Sequence, residues 1–171
     1  MIGHYVQRFF TSLSRRPPST ADEQWAATLL APRELDLFRR LSATDRRHLI
    51  HGARLVERDL GPDTDPVWVK AALLHDVGKF GAGLGVFGRV IATVLAMFLG
   101  DATVRSWAGG AGWRRRLGSY RAHDEIGAAE IRAAGGPEAA AVWSELHHRP
   151  EQLSQSGIPP DVVTILDAAD R

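Results

Sequence analysis

Ala71-Ala-Leu-Leu-His-Asp-Val-Gly-Lys79 is the stretch on which the fold of this chain turns. An apolar run follows Asp65-Pro66, contains only Lys70 as a charge, and ends in a His-Asp pair two residues before Gly78. Such a run, bounded by a proline turn and a glycine, predicts a buried helix over residues 67 to 76. The pair His75-Asp76 then emerges near the C-terminal end of that helix. Adjacent residues on a helix point about 100° apart. They share one ion only if it sits against the helix end, or Asp76 reaches across to a second ion. An ionised carboxylate is disfavoured at a helix C-terminus, and a bound cation removes that penalty. For the dipeptide alone, a histidine donating to a carbonyl beside a solvated aspartate is the preferred reading.

Upstream, Ser42-Ala-Thr-Asp45 reads as a capping box that opens a long helix to Leu60, with Gly61 as its stop. Ser19 and Thr20 cap a helix starting near Ala21, and Pro32 opens a short helix through Phe38. Downstream, Gly81, Gly83 and Gly85 form a loop before an apolar helix, Val86–Leu99, expected to be buried. Gly109, Gly110 and Gly112 mark a second flexible connection. Further helices are expected over residues 123 to 134, from Pro137 to near His148, and from Asp161 to the end. No segment alternates apolar and polar residues, and no period repeats. The expectation is an all-α, compact single-domain fold of seven or so helices. Residues 1–41 read as an N-terminal extension with lead-in helices. Trp25, Phe38, Trp68 and Trp143 are expected in the core.

The 171 residues carry 21 basic and 20 acidic groups, a formal charge of +1, so no global field draws the chain to nucleic acid. There are no cysteines, which excludes disulfides and leaves any metal to His, Asp or Glu. His4 and Arg8 interrupt the apolar N-terminal stretch, which does not read as a signal peptide. The uninterrupted apolar run 90–99 is shorter than the roughly 20 residues needed to cross a bilayer. No transmembrane segment and a cytoplasmic location are the expectations. Trp113 followed by Arg114, Arg115 and Arg116 reads as a solvated face, with phosphate holding or base stacking as the other reading.

Six of the seven histidines, His48, His51, His75, His123, His147 and His148, fall on predicted helices or their ends. Imidazole and carboxylate together suit first-row transition metals. The run His75-Asp-Val-Gly-Lys79, preceded by His48 with Ala53 and Val56 after it, resembles the HD superfamily of metal-dependent phosphohydrolases. His123-Asp-Glu-Ile-Gly127, the pair in Glu145-Leu-His-His-Arg149, and Ile165-Leu-Asp-Ala-Ala-Asp170 are similar to elements of its binuclear members. The Gly-Tyr-Pro element of the HD-GYP enzymes is missing, since Arg149-Pro-Glu stands after His148. The pattern is closer to the smaller binuclear nucleotide hydrolases, such as the diadenosine-tetraphosphate hydrolases.

The resemblance covers roughly residues 42–171 and leaves an unmatched Gly-rich and apolar insert at about 80–120. It implies two divalent transition metals, iron, manganese or similar. His48, His75, Asp76 and Asp170 would serve one ion, and His123 with His147, His148 or both would serve the other, with Asp76 bridging. His51 is an alternative to His48, and Asp167, one turn before Asp170, an alternative to it. Asp76 and Lys79 are the implied catalytic residues. Lys79 suits a phosphate contact past a helix end, and a plain surface lysine is the other reading. The implied substrate is a phosphate ester or anhydride of a nucleotide or small phosphorylated metabolite. The same ligand types also serve mixed-valence di-iron oxygenases and non-catalytic nucleotide-sensing HD modules.

Overall fold

A computed structural model describes residues 17–171; the N-terminal reading around His4 and Arg8 lies outside them. The described residues are all-α: eleven α-helices, two 3₁₀ turns and no strand. The first four helices are α1 (Thr20–Leu29), α2 (Pro32–Arg39), α3 (Ala43–Leu60) and α4 (Val67–Leu74). A 3₁₀ turn, Val77–Gly81, follows α4. The next three are α5 (Val86–Leu99), α6 (Asp101–Ser106) and α7 (Gly112–Arg121), with a second 3₁₀ turn, Trp107–Gly109, between α6 and α7. The last four are α8 (His123–Ala133), α9 (Glu138–Leu146), α10 (Pro150–Leu153) and α11 (Pro160–Asp170).

One large core joins α3, α4, α9 and α11 through Leu49, Ala53, Val56, Leu73, Leu74, Trp143 and Leu166. Each large side chain buried there contributes about 1.5–3 kcal/mol. Helices α1 and α2 add Ala26, Leu30, Leu37 and Phe38 to the same core. Trp25 and Trp68 are only half-buried at its edge, and the Arg54 guanidinium lies 3.6 Å from the Trp25 ring. Phe38 and Trp143 are inside, as the sequence predicts.

Two close approaches decide where the histidines meet. A side chain at Gly52 would stand 2.9 Å from the Ala169 carbonyl, so α3 and α11 cross there at backbone distance. His48 shares the face of Gly52 one turn earlier and is brought opposite Asp170. At Gly78 an added carbon would lie 2.0 Å from the His123 carbonyl, and at Gly127 it would lie 2.7 Å from the Ser144 hydroxyl. Only glycine lets α8 press against the 3₁₀ turn on one side and α9 on the other.

The structure differs from the sequence expectation at two places. Helix α4 stops at Leu74 rather than Asp76, with His75 as its C-cap and Asp76 leading into the 3₁₀ turn. The insert, expected as loop, buried helix and flexible connection, is three helices. Val104, Leu117, Ala92 and Ala96 form a small core of their own between them. Helix α5 is therefore buried along one side only. Gly88, Ala92 and Ala96 are too small to carry an apolar core by themselves, and the large residues between them face outward. Among the described residues no single helix is long and apolar enough to cross a membrane.

Arg89 is the insert's anchor. Its guanidinium donates to both carboxylate oxygens of Asp45, at 2.8 and 2.7 Å. Asp45 was expected to complete a capping box. The Ser42 hydroxyl accepts from the Asp45 N–H at 3.1 Å, but the Asp45 carboxylate takes the Ser42 hydroxyl proton at 2.6 Å and turns to Arg89.

Candidate metal centre

Three helix ends converge on one spot, and each delivers a histidine. A helix leaves its last four carbonyls without intrahelical partners, and these histidines use one each. His75 Nδ1 bonds the Ala72 carbonyl at 3.0 Å at the end of α4. His147 Nδ1 bonds the Ser144 carbonyl at 2.8 Å at the end of α9. His123 Nδ1, at the α7–α8 junction, bonds the Tyr120 carbonyl at 2.7 Å. A carbonyl only accepts, so Nδ1 donates in all three and Nε2 faces the cluster; that of His75 stands at hydrogen-bond distance from the Asp170 carboxylate. The histidine-to-carbonyl bond considered for His75 is thus present, and it fixes the ring with Nε2 toward the cluster.

The donors fall into two sets, in each of which the ligating atoms lie within 4.8 Å of one another: His48, His75, Asp76 and Asp170, and His123, His147 and His148. Asp170 Oδ1 lies 3.2 Å from His48 Nε2 and 3.1 Å from His75 Nε2. Asp76 stands between the sets. Its Oδ2 is 3.7 Å from His75 Nε2 and its Oδ1 is 3.2 Å from His123 Nε2. The His147 and His148 rings are 3.8 Å apart, and His147 lies 5.1 Å from His75. His75, Asp76, His123 and His147 are buried, His48 and Asp170 partly so, and His148 is exposed. The exposed histidine marks the side of the cluster open to solvent.

The alternatives resolve on exposure. His51 is exposed on the far side of α3. Asp167 is half-exposed and paired with Arg171, away from the cluster. Lys79 is not a surface lysine: its side chain is 14% exposed and its ammonium contacts Asp76 Oδ2.

Asp76 Oδ1 and His123 Nε2 are buried atoms with no hydrogen-bond partner, although they face each other. Burial pushes the Asp76 carboxyl up, but Lys79 and His75 outweigh it and hold it well below the usual carboxylate range. Burial lowers His75, yet Asp76 and Asp170 leave it raised. Burial lowers His147 to about 3, helped by His75 and His148, so this ring stays neutral. Burial opposes the charge of Asp170 too, but His75 and His48 keep it strongly depressed. A neutral His147 and ionised carboxylates are the protonation states a transition metal requires, and His75 would give up a proton to bind one. The residues present fit such ions.

The supporting residues were less visible in the sequence. Asp124, fully buried, receives both Arg105 guanidinium nitrogens at 2.8 and 2.5 Å and Arg149 at 3.1 Å. It ties the start of α8 to the insert and to the residue after His148. The Ser144 hydroxyl donates to the His75 carbonyl at 2.7 Å, joining α9 to the end of α4. Asp124 carried a signal, its place beside His123. Arg105 carried none, because its partner lies 19 residues away.

The family model described as HD domain matches residues 46–171, most of the chain and every residue of both donor sets. No curated protein and no solved structure gives a match.

Proposed function

This chain belongs to the HD-domain family, the HD superfamily of metal-dependent phosphohydrolases, and from that premise we propose that it hydrolyses a phosphate ester or anhydride of a nucleotide or small phosphorylated metabolite. The observation that carries the proposal is the convergence of imidazole nitrogens and two carboxylates on one partly buried spot. His48, His75, Asp76 and Asp170 would hold one divalent transition ion, and His123, His147 and His148 the other, with Asp76 shared. Such ions, of the iron or manganese kind, supply Lewis acidity to phosphoryl oxygens and make a water acidic enough to attack near neutral pH.

The protein's own groups do the rest. The backbone carbonyls of Ala72, Tyr120 and Ser144 hold the three imidazoles in a single tautomer and orientation. Lys79 neutralises Asp76, and its ammonium is the one lysine charge placed to meet a phosphate oxygen entering beside that carboxylate. His148, exposed, stands where substrate enters. Tyr120, stacked on His123 at 5.8 Å, and Arg89 beyond it make the insert one wall of the site. The leaving group is recognised by that wall and not by the metal donors.

The test is metal analysis of protein purified without chelators, followed by a panel of nucleotides, dinucleoside polyphosphates, cyclic dinucleotides and a chromogenic phosphodiester with several metals. More than one metal per chain and turnover of one substrate, lost in His75→Ala and Asp76→Ala, is the expected result. Oxygen uptake coupled to substrate loss, or tight metal with no turnover across the panel, overturns the proposal.

A further inference from the structure

The insert exposes what the rest of the chain hides. On α5, Phe87, Met97 and Phe98 are 81%, 78% and 82% exposed, and Val90, Ile91 and Val94 stand with them. Their spacing places all six on one side of the helix, within an arc of about 120°. The opposite side, through Ala92 and Ala96, packs on Val104 and Leu117. Nothing charged interrupts the outer side. Arg89, the one charged residue of α5, is turned inward onto Asp45. Thr93 donates its hydroxyl to the Arg89 carbonyl at 3.0 Å.

The charge around this face has one sign. Residues 80–120 contain Arg89, Arg105, Arg114, Arg115 and Arg116 against a single acid, Asp101. Arg105 is bound to Asp101 and Asp124, and Asp101 is also held by Arg121. Arg114, Arg115 and Arg116 are exposed and have no carboxylate partner among the described residues. Arg116 donates to the carbonyls of Ala82 and Gly83, just ahead of α5. The arginine run therefore lies against the N-terminal end of the apolar face. Trp113, 61% exposed, stands at its start and meets Trp107 edge-on.

We propose that this face docks on an anionic phospholipid bilayer. The apolar side of α5 enters the interface, Trp113 sits at headgroup level, and Arg114 and Arg115 meet lipid phosphates. An apolar helix face rimmed by unanswered cations and an exposed tryptophan complements a surface that is acidic outside and apolar within. At 14 residues the helix is too short to span, so it lies along the surface. A second copy of the chain fits less well, because it would have to bring carboxylates to these arginines and the face carries none. The inference does not rest on the hydrolase reading.

Co-sedimentation of the full chain with vesicles tests it. Vesicles of equal parts phosphatidylcholine and phosphatidylglycerol bind the protein, and vesicles of phosphatidylcholine alone bind it about tenfold more weakly. Added salt narrows that gap. The double variant Phe87→Ser, Phe98→Ser loses about tenfold or more in binding to the mixed vesicles, with metal content and melting temperature unchanged. Arg114→Glu with Arg115→Glu loses the preference for the anionic vesicles. Three results overturn the proposal. One is no binding to the mixed vesicles. Another is a dimer in sedimentation velocity, broken by the phenylalanine variant, without vesicle binding. The third is a large fall in melting temperature in that variant, which would show the face packed within the chain itself.

Discussion

Around His75, imidazoles and carboxylates lie inside a core otherwise made of leucine, alanine and valine; on α5, two phenylalanines and a methionine stand in water. Both regions depart from the ordinary partition of polar outside and apolar inside, in opposite directions. The polar cluster is tolerated because nearly every atom is engaged: three Nδ1 protons go to helix-end carbonyls and Asp76 takes Lys79. What is left over, Asp76 Oδ1 and His123 Nε2, is the pair a cation would satisfy. The insert has the reverse arrangement. Its buried polar groups, Arg89 and Arg105, are paired within the protein, and apolar area rimmed by exposed arginines is what is left over. In each region the unsatisfied remainder points to the missing partner, an ion in one and a surface in the other.

The comparison breaks first at Asp76. Asp76→Ala is expected to abolish turnover and binding at both donor sets, since its two oxygens face one set each. Chelation should lower the melting temperature of the wild-type protein by several degrees, because a ligand held well above its dissociation constant contributes about 3 kcal/mol. In Asp76→Ala the same chelation should change nothing, which differential scanning fluorimetry will read.

Gly78→Ala separates packing from ligation. The new methyl would sit 2.0 Å from the His123 carbonyl, and α8 must move. A loss of about 3 kcal/mol in urea unfolding is expected, together with weaker metal binding, although no donor is changed. Retention of both would show that α8 does not need this approach to place His123.

The insert's hold on the core is sharpened by pH. Burial pushes the Asp45 carboxyl up, but its two bonds from Arg89 outweigh this and leave it depressed. A depressed carboxyl adds stability that is present above the ordinary carboxylate value, about pH 4. That stability is lost as pH falls through the group's lower folded-state value. Asp45→Asn should cost about 2 kcal/mol at pH 7. Its deficit relative to wild type should shrink between pH 5 and 2, on the order of the carboxylate titration range. A deficit that stays constant with pH would show that Arg89 is held by something other than charge.

The smallest effect is the most discriminating for α5. Phe98→Ser is expected to change stability by less than about 0.5 kcal/mol in urea, the range of a surface substitution. A buried phenylalanine lost from the main core would cost about 3–5 kcal/mol.

The residues of this chain determined much of this without coordinates. An unalternated apolar run ending in His75-Asp76 means a buried helix that delivers two donors at its end, because helix period and apolar length are local properties. The order of the histidine motifs along the chain carried the family resemblance for the same reason. Tertiary structure alone placed His48 and Asp170, rather than His51 and Asp167, in the donor cluster. Both members of each pair lie on one helix, and only the crossing of α3 and α11 at Gly52 decides which faces inward. It also paired Arg105 with Asp124 and Arg89 with Asp45. Charge pairing depends on distance in space, which sequence separation does not encode. The apolar stretch of α5 marked a helix with sides to hide, and the small residues Ala92 and Ala96 turned out to be the side that packs. Periodicity fixes directions around one axis, and which direction meets protein is settled only by the neighbouring helices.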